Sequence, residues 1–142
     1  MSAAPTLSAA RTLAALLEWA EGGSPARQLT AQLGAAPLVL GGRFEVAVEW
    51  SSPSAAGVGV PQALTADTGL FWFFAPENLE VVVKVLDACA LNERFWVFGG
   101  GLTDVAARVT ISDTQTGVVR EYVNAQGVPF QPIRDTSAFP CS

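Results

Sequence analysis

Two stretches of the chain are variations on one pattern. Phe71-Trp72-Phe73-Phe74 leads through a proline turn into Leu79 to Leu86 and ends at Asp87. Phe95-Trp96-Val97-Phe98 leads through Gly99-Gly100-Gly101 into Val105 to Ser112 and ends at Asp113. In each copy an aromatic segment precedes a β-branched one whose residues alternate. Val81, Val83 and Val85 oppose Glu80 and Lys84; Val105, Ala107, Val109 and Ile111 oppose Asp104, Arg108, Thr110 and Ser112. A period of two is the mark of a pleated strand with one face in a core. The aromatic segments are apolar on both faces, which suits central strands of a two-layered protein. One face would pack on the core and the other under helices or the tail.

The same period runs through Phe44, Val46, Val48 and Trp50, with Arg43, Glu45, Ala47 and Glu49 on the opposite, solvated face. The loop "SSPSAAGVGVP" and the stretch Gln62 to Thr65 hold room for two short edge strands. Asp113-Thr114-Gln115-Thr116-Gly117 reads as a hairpin loop, and Val118 to Val123 as the last full strand. The closing "NAQGVPFQPIRDTSAFPCS" reads as an extended tail broken by prolines. About seven short strands separated by turns give an all-β fold, an antiparallel immunoglobulin-like sandwich spanning residues 41–142.

Residues 1–40 differ in kind and read as a helical appendage. Ser8 caps a helix near 8–21 with Leu13, Leu16 and Leu17 on one stripe. Ser24-Pro25 opens a second near 24–33 carrying Leu29 and Leu33. Such short helices are marginal alone, so the five leucines need a surface to cover and are the candidate interaction residues.

Composition removes several classes of function. The chain has no histidine, so the usual general base, the usual metal ligand and the Ser-His and Cys-His pairs are all missing. Two cysteines without histidine do not fill a tetrahedral zinc site unless several carboxylates join them. With a net charge of −5 and scattered arginines there is no basic patch for phosphates, so no nucleic-acid partner is expected. No run is long and apolar enough to span a bilayer, and no membrane insertion is expected. The start lacks the cationic lead of a signal peptide.

Cys89 and Cys141 suit one disulfide in an oxidising compartment. Closing a loop of this size stabilises by roughly 4 kcal/mol in the chain-entropy model. Asp67, Asn78, Asp87, Asp104, Asp113 and Asp135 sit at strand ends, where calcium could gather oxygens. No loop has the dense alternating pattern of a calcium loop, and Asx turns account for each residue. No cofactor is expected. Trp19, Trp50, Trp72 and Trp96 are candidates for a sugar-stacking platform, with Asn78, Asn92 and Glu93 in nearby loops; the flanking phenylalanines favour core. Gly99 to Gly101 lacks the Lys-Ser/Thr of a phosphate loop and reads as a hairpin or bulge. Glu45 and Glu49 read as surface carboxylates.

From "GGRFEVAVEW" through "DTGLFWFFAPENLEVVVKVLDACALNERFWVFGGGLTDVAARVTISDTQTGVVREYVN" to "DTSAFPC", the chain resembles an uncharacterised family of small bacterial exported and surface modules. The resemblance runs from about Gly41 to Cys141. It implies an extracytoplasmic, non-catalytic β-module and carries no ligand or active residue with it. The reading is therefore a structural or protein-interaction module of an exported or cell-surface assembly, possible self-association included. A carbohydrate-binding module is the alternative, and a carboxylate-based hydrolase comes third.

Overall fold

The computed structural model describes residues 23–142. The expected first helix, with Leu13, Leu16, Leu17 and Trp19, lies outside the described residues.

The first described element is α1 (Pro25–Ala31), shorter than the expected 24–33. Ser24 caps it, its hydroxyl accepting from the Arg27 amide, and Pro25 takes the first turn, where no amide hydrogen is needed. Among the described residues ten strands follow. They are β1 (Leu38–Leu40), β2 (Phe44–Ser51), β3 (Ala56–Val58), β4 (Val60–Ala63), β5 (Thr68–Trp72), β6 (Leu79–Ala88), β7 (Arg94–Gly101), β8 (Ala106–Asp113), β9 (Val119–Asn124) and β10 (Ile133–Pro140). A helical turn, α2 (Cys89–Asn92), joins β6 to β7.

The strands form two antiparallel sheets. The first runs β1-β2-β8-β9, with β3 sharing the β2 edge used by β1; the second runs β10-β7-β6-β5-β4. The protein is therefore all-β, as the alternation predicts. Consecutive strands β4 to β7 make a meander within one sheet.

The expected inward residues do pack inward. Phe44, Val46, Val48, Val109 and Ile111 of the first sheet meet Phe71, Val81, Val83, Val85, Val97 and Phe139 of the second in one core. Phe44 bridges the layers, edge-on to Phe95 at 4.9 Å and tilted against Phe139 at 5.0 Å. Each fully buried valine or phenylalanine contributes about 1.5–3 kcal/mol of transfer free energy.

The sequence reading missed β1 and β10. Three residues are too few to show a period, and Leu38 to Leu40 belong to the sheet because Leu38 crosses to the other layer. A Cβ on Gly69 of β5 would stand 2.2 Å from the Leu38 side chain, so that position admits only hydrogen. The tail segment read as broken becomes strand β10, pairing with β7 around an irregularity between Asp135 and Phe139. Its prolines at 129, 132 and 140 fall before the strand and at its last residue, where a missing amide hydrogen costs no ladder bond.

The three glycines at 99–101 close β7 as part of the strand. A Cβ on Gly99 would meet Ile133 at 2.8 Å, and one on Gly101 would meet Phe130 at 2.5 Å. Their role is to let the returning chain lie close, which a hairpin reading did not anticipate.

A seam of charge ties the tail to the first sheet. Arg43 donates to both carboxylate oxygens of Asp113 at 2.8 Å, and to the Pro140 and Cys141 carbonyls at 3.1 and 3.2 Å. Its guanidinium also lies over the Phe95 ring at 4.5 Å. Burial pushes the Asp113 carboxyl up. The Arg43 fork, the Thr116 hydroxyl and the Gln115 amide outweigh that and hold its pKa below the usual range. Beside this seam Cys89 and Cys141 form a disulfide.

Candidate functional site

The two sheets present very different outward faces. On the first, register places Glu45 beside Ser112 and Ala47 beside Thr110. The expectation of a solvated Glu45 fails here: it is 7% exposed. Helix α1 roofs this end of the face. Ser24 donates its hydroxyl to Glu45, Arg27 donates to the same carboxylate, and the Ala26 amide donates to Ser112 at 3.3 Å. The alternation holds, but nothing in β2 itself says that a helix whose cap lies 21 residues upstream of Glu45 folds over it. Leu29 of that helix is half-buried and Leu33 is 63% exposed.

The second sheet turns a row of aromatic and aliphatic residues outward. Phe71, Val81, Val83, Val85 and Val97 point into the core. Their alternating neighbours Leu70, Trp72, Val82, Leu86, Trp96 and Phe98 occupy the opposite face and remain half-buried. The expectation that helices cover this face is corrected for α1, which packs against β2 and β8.

Three cross-strand rows organise the surface. Leu70 stands beside Val82 and Gly100; Lys84 and Arg134 flank Phe98; Leu86 stands beside Trp96. Trp96 and Phe98 meet edge to face at 6.1 Å. The Trp96 indole donates to the Asn92 amide oxygen at 2.8 Å, and the Asn92 amide donates to the Thr136 carbonyl at 2.9 Å. One asparagine in α2 thus fixes the ring and ties β7 to β10.

The charge on this face is distinctive. Among the described residues Arg27, Arg43 and Arg108 are held in salt bridges with Glu45, Asp113 and Glu121. Arg120 donates to the Ala138 carbonyl and lies over Phe139. Lys84, Arg94 and Arg134 form no ion pair among the described residues, and the pleat sets all three on the outer side of the second sheet. Lys84 nonetheless helps to lower the pKa of Asp67, behind the larger effects of the Thr68 and Thr65 hydroxyls. The acid on this face, Glu80, is sunk at one end. Burial pushes its carboxyl up, a bond from Thr103 opposes that, and its Oε2 has no partner.

The other sequence candidates take local roles. Trp50 closes the end of the core, stacked on Phe73 at 5.9 Å and edge-on to Phe74 at 4.7 Å. Asp67 accepts from Thr65 and Thr68, Asp87 from the Cys89 amide, and Asp135 from Tyr122 and the Ser137 amide. Among the described residues no group of three or more His, Cys, Asp or Glu is placed to hold a metal ion.

Lys84 was visible from the sequence as an outward residue. The row Lys84-Phe98-Arg134 was not, because it depends on the register of β10. No family model, curated protein or solved structure matches the chain.

Proposed function

We propose that this chain is a non-catalytic structural or protein-interaction module of an exported or cell-surface assembly, and that the outer face of the second sheet is its contact surface. One observation carries the reading: Trp72, Trp96 and Phe98 project from the sheet on the side opposite the core, on a face over which α1 does not lie. Aromatics and arginine around a fixed tryptophan are the composition of protein-interface centres. The fold belongs to this proposal in its finer form, an immunoglobulin-like sandwich related to bacterial exported modules. The disulfide fits an oxidising compartment. Among the described residues no helix is long and apolar enough to cross a membrane. Neither nucleic acid nor a cofactor belongs to the reading.

Oxidative footprinting of the dilute protein tests it. Trp72, Trp96 and Phe98 are expected to react and Phe71 and Val97 to stay protected; occluded rings in the dilute monomer would sink the proposal.

The carbohydrate-binding alternative draws on the same two tryptophans, since half-exposed indoles stack on sugar faces and Asn92 sits beside one. It predicts a shift in tryptophan fluorescence on titration with neutral polysaccharides that high salt leaves intact. A hydrolase would need a second acid facing Glu80 across a cleft.

A further inference from the structure

The placement of charge bears on what this face could meet. The whole chain carries eight cations and thirteen acids. Three of those cations, Lys84, Arg94 and Arg134, share one outward face, and among the described residues none is in an ion pair. Glu80 lies at one end of the same face, and over the rest of the chain five cations stand against the other twelve acids. The charge is therefore unevenly placed, with cations gathered on the aromatic face and an acidic excess elsewhere that includes exposed Glu77 and Asp104.

We propose that the outer face of the second sheet docks onto the acidic surface of a second copy of this chain. The contact is heterologous, face to elsewhere, because two copies of the cationic face would repel each other. Trp96 and Phe98 form its desolvated centre. Lys84 and Arg134 flank that centre in one cross-strand row, and Arg94 extends it along β7. The aromatic centre supplies area to exclude water, while the cations choose the partner and the orientation. Such contacts leave a free cationic face at one end and a free acidic surface at the other, so they propagate.

This inference rests on the interaction reading above and is separable from it by experiment. Sedimentation velocity of the full chain is run from micromolar to millimolar concentration. The runs are repeated at about 0.1 M salt, where the Debye length is about 10 Å, and about 1 M, where it is about 3 Å. The expected result is reversible association at low salt that weakens at least about tenfold at high salt. A Lys84→Glu/Arg134→Glu double variant, checked for an unchanged circular dichroism spectrum, is expected to stay monomeric. Trp96→Ala is expected to weaken association without changing its salt dependence.

A strict monomer at low salt overturns the proposal, as does association that survives the double reversal or strengthens with salt. A monomer whose Trp96 and Phe98 still react in footprinting removes the second copy as partner and leaves the interaction reading standing. If that monomer binds poly-L-glutamate, the partner is another acidic protein and self-docking is refuted.

Discussion

The outward faces of the two sheets are written in the same alternating code and end in opposite environments. On β2, Glu45 is charged and reads as surface, yet it lies under α1 with a serine and an arginine bonded to it. On β5, β6 and β7, Trp72, Val82, Trp96 and Phe98 are apolar and read as covered, yet α1 is on the other layer. Periodicity reports which residues share a side of the pleat. What covers that side is decided by chain elements distant in sequence. The charged face is closed by helix capping and ion pairing, and α1 does not reach the aromatic face.

The sharpest way to break this contrast is at the seam that sets the two sheets against each other. Replacing Asp113 by Asn leaves the Arg43 guanidinium buried without its counter-charge and is expected to cost about 3–5 kcal/mol in urea denaturation. The same group predicts the acid response. Its pKa is lower in the folded state, so its contribution is present at neutral pH. That contribution is lost as pH falls below the usual carboxylate range toward its folded pKa.

Next in size is the roofed face. Glu45→Ala removes the acceptor for Ser24 and Arg27 and is expected to cost about 1.5–3 kcal/mol. Ser24→Ala, which removes both the cap and the bond to Glu45, is expected to cost about 1 kcal/mol or somewhat more. A smaller cost than either would mean that α1 is a loose cover and the contrast between faces is weak.

Glu80 sharpens the comparison with the opposite sign. Burial raises its pKa, so its ionised form opposes folding, and its favourable contribution disappears as pH rises through the folded pKa. Glu80→Gln is expected to raise the thermal midpoint at neutral pH and to have little effect in acid, where the carboxyl is already neutral.

The smallest expected effect on stability lies on the aromatic face. Lys84→Glu changes a half-buried residue that has no ion pair among the described residues, and is expected to shift stability by less than about 0.5 kcal/mol while altering association. A loss of several kcal/mol there would mean that the face is internal.

The legible part of the fold was its local part. Val81, Val83, Val85, Val109 and Ile111 were assigned to the core from period alone, and Ser24-Pro25 marked the start of α1. The Asp113 to Gly117 turn was legible too, with Gly117 at φ +83°. The pairing of Cys89 with Cys141 followed from there being two cysteines. The illegible part was long-range. Strand β10 hides among prolines because its pairing partner, β7, supplies the order. The Arg43–Asp113 fork joins residues 70 apart in sequence. The cationic row exists only once β6, β7 and β10 are in register. The candidate site was half visible, in its tryptophans and Lys84 but not in their arrangement.

Solvent paramagnetic relaxation enhancement, read residue by resonance in dilute solution with a soluble gadolinium chelate, tests the contrast of faces in one experiment. Strong enhancement is predicted at Lys84, Trp96, Phe98 and Arg134, with near silence at Glu45, Ala47 and Ser112. Equal shielding of the two groups would contradict it, because the aromatic face would then be as closed as the roofed one.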